Sequence, residues 1–168
     1  MSNERRIILF RHGKSDWDAD YNGDHERPLK KRGKSAARAM GRILRKTLAP
    51  DIVITSSAVR ARRTTELAAE AGGWKATIEV NERLYGASPL VVLQVVSELP
   101  ADCETVVVVG HEPGWSGVVL LLTGGRVRFP TAAMACVLVP IGSWSSVEPG
   151  AGELEWLATP RMIEAVGG

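Results

Sequence analysis

Residues 7–15 read Ile7-Ile8-Leu9-Phe10-Arg11-His12-Gly13-Lys14-Ser15, and the order of residue types here decides the fold. Four consecutive apolar residues, too short for a helix and without alternation, predict a strand buried on both faces. A cation and an imidazole follow at once. Two further apolar runs end the same way. Ile52-Val53-Ile54 passes into Thr55-Ser56-Ser57 and then Arg60, and Val106-Val107-Val108-Val109 passes into Gly110-His111. Open α/β sheets bind ligands in the crevice at the carboxyl ends of their strands. With these three strands as parallel neighbours, Arg11, His12, Arg60 and His111 meet at one place, a set that suits a phosphoryl group.

Outward from these runs, apolar residues recur at helical spacing, which predicts βα units around a mainly parallel central sheet in a three-layer α/β/α sandwich. Ala36, Ala37, Met40, Ile43, Leu44, Thr47 and Leu48 share one helix face, closed by Ala49-Pro50. Ser56 or Ser57 is the expected N-cap of a second helix, which ends at Gly72-Gly73. A short strand is expected at 77–80. Ser88-Pro89 then opens a helix with Val91, Val92, Val95, Val96 and Leu99 as its buried stripe, and Pro113 starts another that stops at Gly124-Gly125. Strands are expected at 135–139 and 153–157. The second alternates Leu154 and Trp156 with Glu153 and Glu155, the pattern of an edge with one wet face. Residues 142–152 read as a surface connection, and 160–168 as a tail without site chemistry.

Composition narrows the function. A length of 168 residues suits one hydrophobic core, so residues 1–168 are expected to form a single domain. The net charge of +2, from 21 Lys+Arg against 19 Asp+Glu, gives no argument for a nucleic-acid partner. Basic residues gather between Arg27 and Arg38, but no aromatic residue interleaves for base stacking, so a solvated loop and helix start is expected there. Cys103 and Cys136 each adjoin an apolar run and read as small buried residues of a reducing compartment. The first apolar run is shorter than a secretory core and no run approaches a membrane span, so a cytoplasmic protein with no membrane partner is expected. No feature bears on oligomeric state.

Phosphoryl transfer asks for positioning and charge stabilisation more than for covalent work. The planar guanidinium fork of arginine meets that need, so Arg11 and Arg60 are candidates to hold the oxyanions from two sides. A histidine among such cations is held neutral, and a neutral imidazole nitrogen is a nucleophile near pH 7. His12 is the better candidate, because Gly13 permits a tight turn after it; His111 would then donate to the phosphoryl oxygens, although the reverse assignment fits the same residues. A lone histidine at a strand end is ordinarily structural, but three strand ends carrying one chemistry argue against coincidence. His25 stands outside the pattern. Three scattered histidines without a close pair or an acidic motif supply no set of metal ligands.

Arg11-His12-Gly13-Lys14-Ser15, the stretch Ser56-Ser57-Ala58-Val59-Arg60-Ala61 with Thr64, and Gly110-His111 together resemble the histidine phosphatase superfamily, which includes the phosphoglycerate mutases. The small size, Arg27-Pro28-Leu29 with Arg32-Gly33, Gly110-His111-Glu112-Pro113-Gly114 and Pro130-Thr131-Ala132-Ala133 are similar to its short, SixA-like phosphohistidine phosphatase branch. The resemblance implies a phosphoglycerate mutase-like fold and a metal-independent phosphatase, without a cofactor, that is phosphorylated on His12. Arg11 and Arg60 would bind the phosphoryl group and His111 would complete the pocket. Asn81-Glu82-Arg83-Leu84-Tyr85-Gly86 resembles the mutase segment whose glutamate donates a proton, which makes Glu82 the candidate acid, with a plain surface carboxylate as the alternative.

Three rival functions remain on these residues: a small-molecule phosphomonoesterase, a phosphomutase, and a phosphate-binding scaffold module. A mutase needs a closing lid, and residues 86–110 have room only for one helix and one strand. A scaffold would be expected to have lost one of the four core residues. The loop from Lys14 to Arg32 is too short to form a cap, so the site should be open, with Lys14, Trp17 and Arg27 as rim contacts. Its expected partner is a phosphorylated protein or a small phosphate substrate.

Overall fold

The structure, a computed structural model, describes residues 3–167; the side chains of residues 46 and 47 lie outside the description, and with them the placing of Thr47 on its helix face. Strands β1 (Arg5–Arg11), β2 (Ile52–Ser56), β3 (Thr77–Asn81), β4 (Thr105–Gly110), β5 (Met134–Val139) and β6 (Glu153–Ala158) form one sheet in the order β3-β2-β4-β1-β5-β6. The β3-β2, β2-β4 and β4-β1 pairings are parallel, and β5 runs antiparallel to both β1 and β6. The sheet is therefore mainly parallel, as the apolar runs imply.

Helices cover both faces, which is why β4 can be apolar along nearly its whole length. Ile8, Phe10, Val53 and Val107 face helices α1 (Lys31–Thr47) and α2 (Val59–Gly72) through Met40, Leu44, Ala61 and Ala68. Ile7, Leu9, Val106 and Val108 face α3 (Pro89–Ser97) and α4 (Gly114–Thr123) through Val92, Val96, Val118 and Leu122. Both layers are fully buried at these positions. Each such side chain withdrawn from water contributes about 1.5–3 kcal/mol before chain entropy is counted. Among the described residues, no helix is long and apolar enough to cross a membrane.

Register fixes the site. Arg11 pairs with Gly110 and Thr55 with Val109, so β1, β2 and β4 end level with one another and deliver His12, Ser56 and His111 to one rim. Gly110 is required there, because a Cβ would collide with the ring of Trp115, whose indole N–H donates to Val108 O at 3.0 Å.

Three local expectations are corrected and the reading of the tail is filled in. The N-cap of α2 is Ala58 rather than a serine, and Ser56 Oγ instead accepts the Ala58 N–H at 3.3 Å. The alternation expected of β6 fails at a register shift, where Cys136 pairs with Trp156 but Val137 pairs with Leu154; Glu155 turns to Arg6 at 3.0 Å and Leu154 is exposed. The connection after residue 142 is not purely superficial, since Trp144 in the 3-10 turn Trp144–Ser146 is fully buried. The tail contains helix α5 (Pro160–Ala165), opened by Thr159 Oγ1 accepting from Met162 N at 3.3 Å and packed through Ile163 on the α1 side.

Candidate active site

The three strand ends open into a cavity of about 330 Å³ lined by Arg11, His12, Arg60, His111, Asp24 and Tyr85 together with Lys14, Trp17 and Arg27. Structure and sequence agree in bringing the four core residues together. Two larger hollows adjoin it without reaching either histidine, and a third of about 350 Å³ shares Gly86, His111 and Glu112 with it.

His12 is held by its own backbone. Its N–H donates to Gly110 O and its carbonyl accepts from Ala132 N, both at 3.0 Å; the N–H of Gly13 donates to Thr64 Oγ1, also at 3.0 Å. Thr64 Oγ1 in turn donates to Arg60 O at 2.7 Å, so one hydroxyl links the strand end that carries His12 to the helix that carries Arg60. Ala132, whose N–H donates to the His12 carbonyl, adopts φ 60°, a left-handed backbone unusual for a residue with a side chain. Gly13 is needed for a reason other than a turn: a Cβ there would lie 2.6 Å from Gly33 O, where the loop crosses the first turns of α1.

The ring of His12 has a defined tautomer. Nδ1 lies 2.7 Å from Gly13 O, and a carbonyl only accepts, so Nδ1 carries the proton and Nε2 is left with its lone pair. Burial, more than the neighbouring charges, pushes the pKa of His12 down to about 3; the charges of His111, Arg60 and Arg11 act in the same direction. His111 lies with its ring centroid 5.2 Å from that of His12, and burial followed by Arg60 lowers its pKa to about 4. Its Nε2 meets Ser56 Oγ at 2.8 Å, while its Nδ1 is buried without a partner. Arg11 donates to Phe129 O at 2.8 Å, and burial lowers its pKa from the usual arginine value. The Nε atoms of Arg11 and Arg60 are buried and unpartnered. Buried donors without acceptors are costly, and here they surround one cavity.

Sequence reasoning missed Asp24 and Tyr85. Asp24 accepts from Arg27 at 2.5 Å, from Arg60 at 3.0 Å and from the Tyr85 hydroxyl at 2.7 Å, and its main-chain carbonyl takes a second bond from Arg60 at 2.7 Å. The Tyr85 hydrogen bond and then Arg60 hold its carboxyl down at about 2, and the same contact raises the phenol of Tyr85. The spacing Asp24-x-x-Arg27 was the available signal. Arg27 is itself buried rather than part of a solvated basic run: it also donates to Ser15 Oγ at 3.0 Å, and its guanidinium lies 3.6 Å from the Trp17 ring centroid. His25, which stood outside the pattern, sits behind the site, 2.9 Å from Ser57 Oγ and edge-on to Tyr85. Glu82 is not brought in. It lies exposed on the turn Glu82–Leu84 and does not line the cavity. Glu112 does line it, but its carboxylate accepts from Ser116 N and Oγ at 2.6 and 2.8 Å. Among the described residues, no three His, Cys, Asp or Glu side chains are grouped to hold a metal ion.

The sequence profile of the histidine phosphatase superfamily (branch 1) matches residues 7–87. An uncharacterised protein of Mycobacterium tuberculosis is 38% identical over 164 residues, 90% of this chain and 100% of that protein. A candidate phosphohistidine phosphatase SixA from Nakamurella multipartitia is 30% identical and superposes with a TM-score of 0.82 over 94% of this chain and 96% of its own. The chain belongs to the histidine phosphatase superfamily. Within it, the protein histidine phosphatase SixA complexed with tungstate, 24% identical, shares the fold with a TM-score of 0.81 over 94% of this chain and 99% of its own. The protein is a phosphatase of the short, SixA-like branch, and its phosphoglycerate mutase-like fold carries the cavity at the strand ends.

Proposed function

We propose that this phosphatase hydrolyses phosphohistidine presented by another protein, and that the phosphoryl group passes through His12. The observation that carries the reading is the bare Nε2 of His12, fixed by the Nδ1 contact to Gly13 O, among unpartnered donors of Arg11, Arg60 and His111. Nε2 attacks phosphorus; the bond to the substrate nitrogen breaks, and its electron pair stays with the substrate ring, which carries a proton on its other nitrogen and so leaves as neutral imidazole. Arg11 and Arg60 hold the equatorial oxygens. Ser56 Oγ already accepts from Ala58 N, so its proton is free for His111 Nε2, which leaves Nδ1–H to donate to the phosphoryl group. Water then attacks the phosphohistidine, Nε2 recovers its electron pair, and inorganic phosphate leaves with the proton balance taken from solvent.

Two features support phosphohistidine over phosphate esters. An ester's alkoxide needs a proton as it leaves, yet Asp24 is held ionised and Glu112 faces Ser116. Glu82 lies outside the cavity, so we assign it no role as acid. A phosphoramidate, whose leaving imidazole is a better leaving group, needs less help. Among the described residues no segment caps the cavity: the loop after His12 is folded back by a Ser15–Leu29 bridge and leaves Trp17 exposed, so a side chain on a large partner can reach it. Lys14 and Trp17 are rim contacts to that partner, and Arg27, buried against the Trp17 ring, supports them from beneath. The cations of Arg11 and Arg60 take the charge-stabilising role, so activity should survive chelation. Cys103 and Cys136 are free and buried, which fits a reducing cytoplasmic setting.

The test compares kcat/KM on a phosphohistidine-bearing protein with values on sugar, glycerate and nucleotide phosphates. Preference for the phosphoprotein is expected; a strong preference for any one metabolite would replace this reading with that of a small-molecule phosphomonoesterase.

A further inference from the structure

Two hollows of about 880 and 410 Å³ lie side by side next to the catalytic cavity. They share Arg32, Ala36, Pro160 and Glu164, so they form one groove, and the smaller shares Lys14 and Thr131 with the cavity that holds His12. The groove runs between the first turns of α1 and helix α5. Its floor is small and smooth, made of Ala36, Ala39 and Pro160. Its walls are charged, and unevenly so. Lys30 is matched by Asp18 at 3.5 Å, whereas Lys14, Lys31, Arg32 and Arg161 have no ion-pair partner among the described residues. Asp16 and Glu164 also lie there, and still leave cations in excess.

We propose that this groove holds an acidic segment of the phosphorylated protein, next to the residue whose phosphate enters the cavity. The inference rests on the protein-phosphohistidine reading above and names what that partner must carry. From Lys31 to Ala39 the groove follows α1 for roughly 12 Å at about 1.5 Å per residue. An extended chain advances about 3.3 Å per residue, so three or four residues fill it. A floor of alanine and proline accepts a main chain and offers no pocket for a large ring. The unmatched cations select Asp or Glu within about four residues of the phosphohistidine, and they steer that partner before contact.

The experiment uses the double variant Lys31→Glu, Arg161→Glu. Both residues are exposed and neither lines the catalytic cavity, and a carboxylate in the first turn of α1 is favoured by the helix dipole, so the fold is retained. Native and variant proteins are assayed on an aryl phosphate and on two phosphohistidine peptides, identical except that one carries Asp and Glu where the other carries Asn and Gln. Binding of the unphosphorylated acidic peptide is measured by fluorescence anisotropy. The native protein should show a KM about fivefold lower for the acidic phosphopeptide, an advantage lost in the variant and at high salt, with aryl phosphate turnover unchanged. Equal KM values for the two peptides in the native protein, or an advantage that survives in the variant, overturns the groove and leaves the phosphohistidine reading standing. Binding of the acidic peptide by the native protein alone, with neither phosphopeptide hydrolysed, sinks the phosphohistidine reading and keeps the groove.

Discussion

Arginine is buried at both ends of the central sheet. At the amino end of β1, Arg5 is 3% exposed; it donates to the carbonyls of Cys103, Ala101 and Gly142, the last two at 3.0 and 2.8 Å, and packs on the Trp144 ring at 5.5 Å. At the carboxyl end, Arg60 is 5% exposed and is oriented by one residue, Asp24, whose carboxylate is half exposed. Each keeps an unpartnered Nε, so an orphaned donor alone does not mark a site. What sets Arg60 apart is convergence: Arg11 Nε and His111 Nδ1 are orphaned around the same cavity, while around Arg5 the carbonyls of two connections close over the cation. One arginine ties loops together. The other holds charge ready for a ligand.

The contrast can be broken first at Arg60. Removing one preorganised oxyanion donor costs about 10²–10³ in kcat, so Arg60→Ala should lose activity on that scale with its melting temperature nearly unchanged. Gross unfolding of that variant would make the two ends equivalent. Arg5→Ala should do the reverse. Losing the cation's hydrogen bonds to three carbonyls and its packing on Trp144 costs about 3 kcal/mol in total, a fall of roughly 6–12 °C in Tm for a chain of this size, while kcat of the folded fraction stays native. A stable Arg5→Ala protein would show that these loops close without the cation.

Smaller effects sharpen the same contrast. His12 and His111 have folded pKa values of about 3 and 4, below the ordinary 6.5. Below pH 6.5 the unfolded chain gains protons at these rings that the folded chain refuses, so stability is full above 6.5 and declines as pH falls toward 4. Ring ¹⁵N signals of both histidines should remain those of neutral imidazole at pH 5; protonation near 6.5 would mean that burial does not govern the site. The smallest effect is expected at Glu82→Gln, with kcat/KM on phosphohistidine within twofold of native. A large loss there would restore Glu82 as the acid.

Much of this arrangement was legible in the sequence because it rests on strand ends. Apolar runs announce strands, and the residue that follows each run must emerge at the rim, so Arg11, His12 and His111 could be placed from order alone. Arg60 followed from its one-turn distance beyond β2. Asp24, Tyr85 and Arg27 were harder to place because they reach the cavity from loops, whose path is set by the Ser15–Leu29 bridge and by contacts between distant segments. The Glu82 segment shows the same limit: motif similarity located the turn, but the turn presents Tyr85 to the cavity and leaves Glu82 in solvent. Likewise Trp144 is fully buried from within a run of Gly, Ser and Pro that reads as surface, because its indole donates to Cys103 O at 2.8 Å across the sheet's amino end.

Trapping the covalent intermediate tests the centre of this scheme most directly. Rapid quench with a phosphoryl-labelled substrate should yield a base-stable, acid-labile phosphoenzyme that maps to His12 and is absent from His12→Ala. Label retained in His12→Ala, or mapped to a serine, would contradict it.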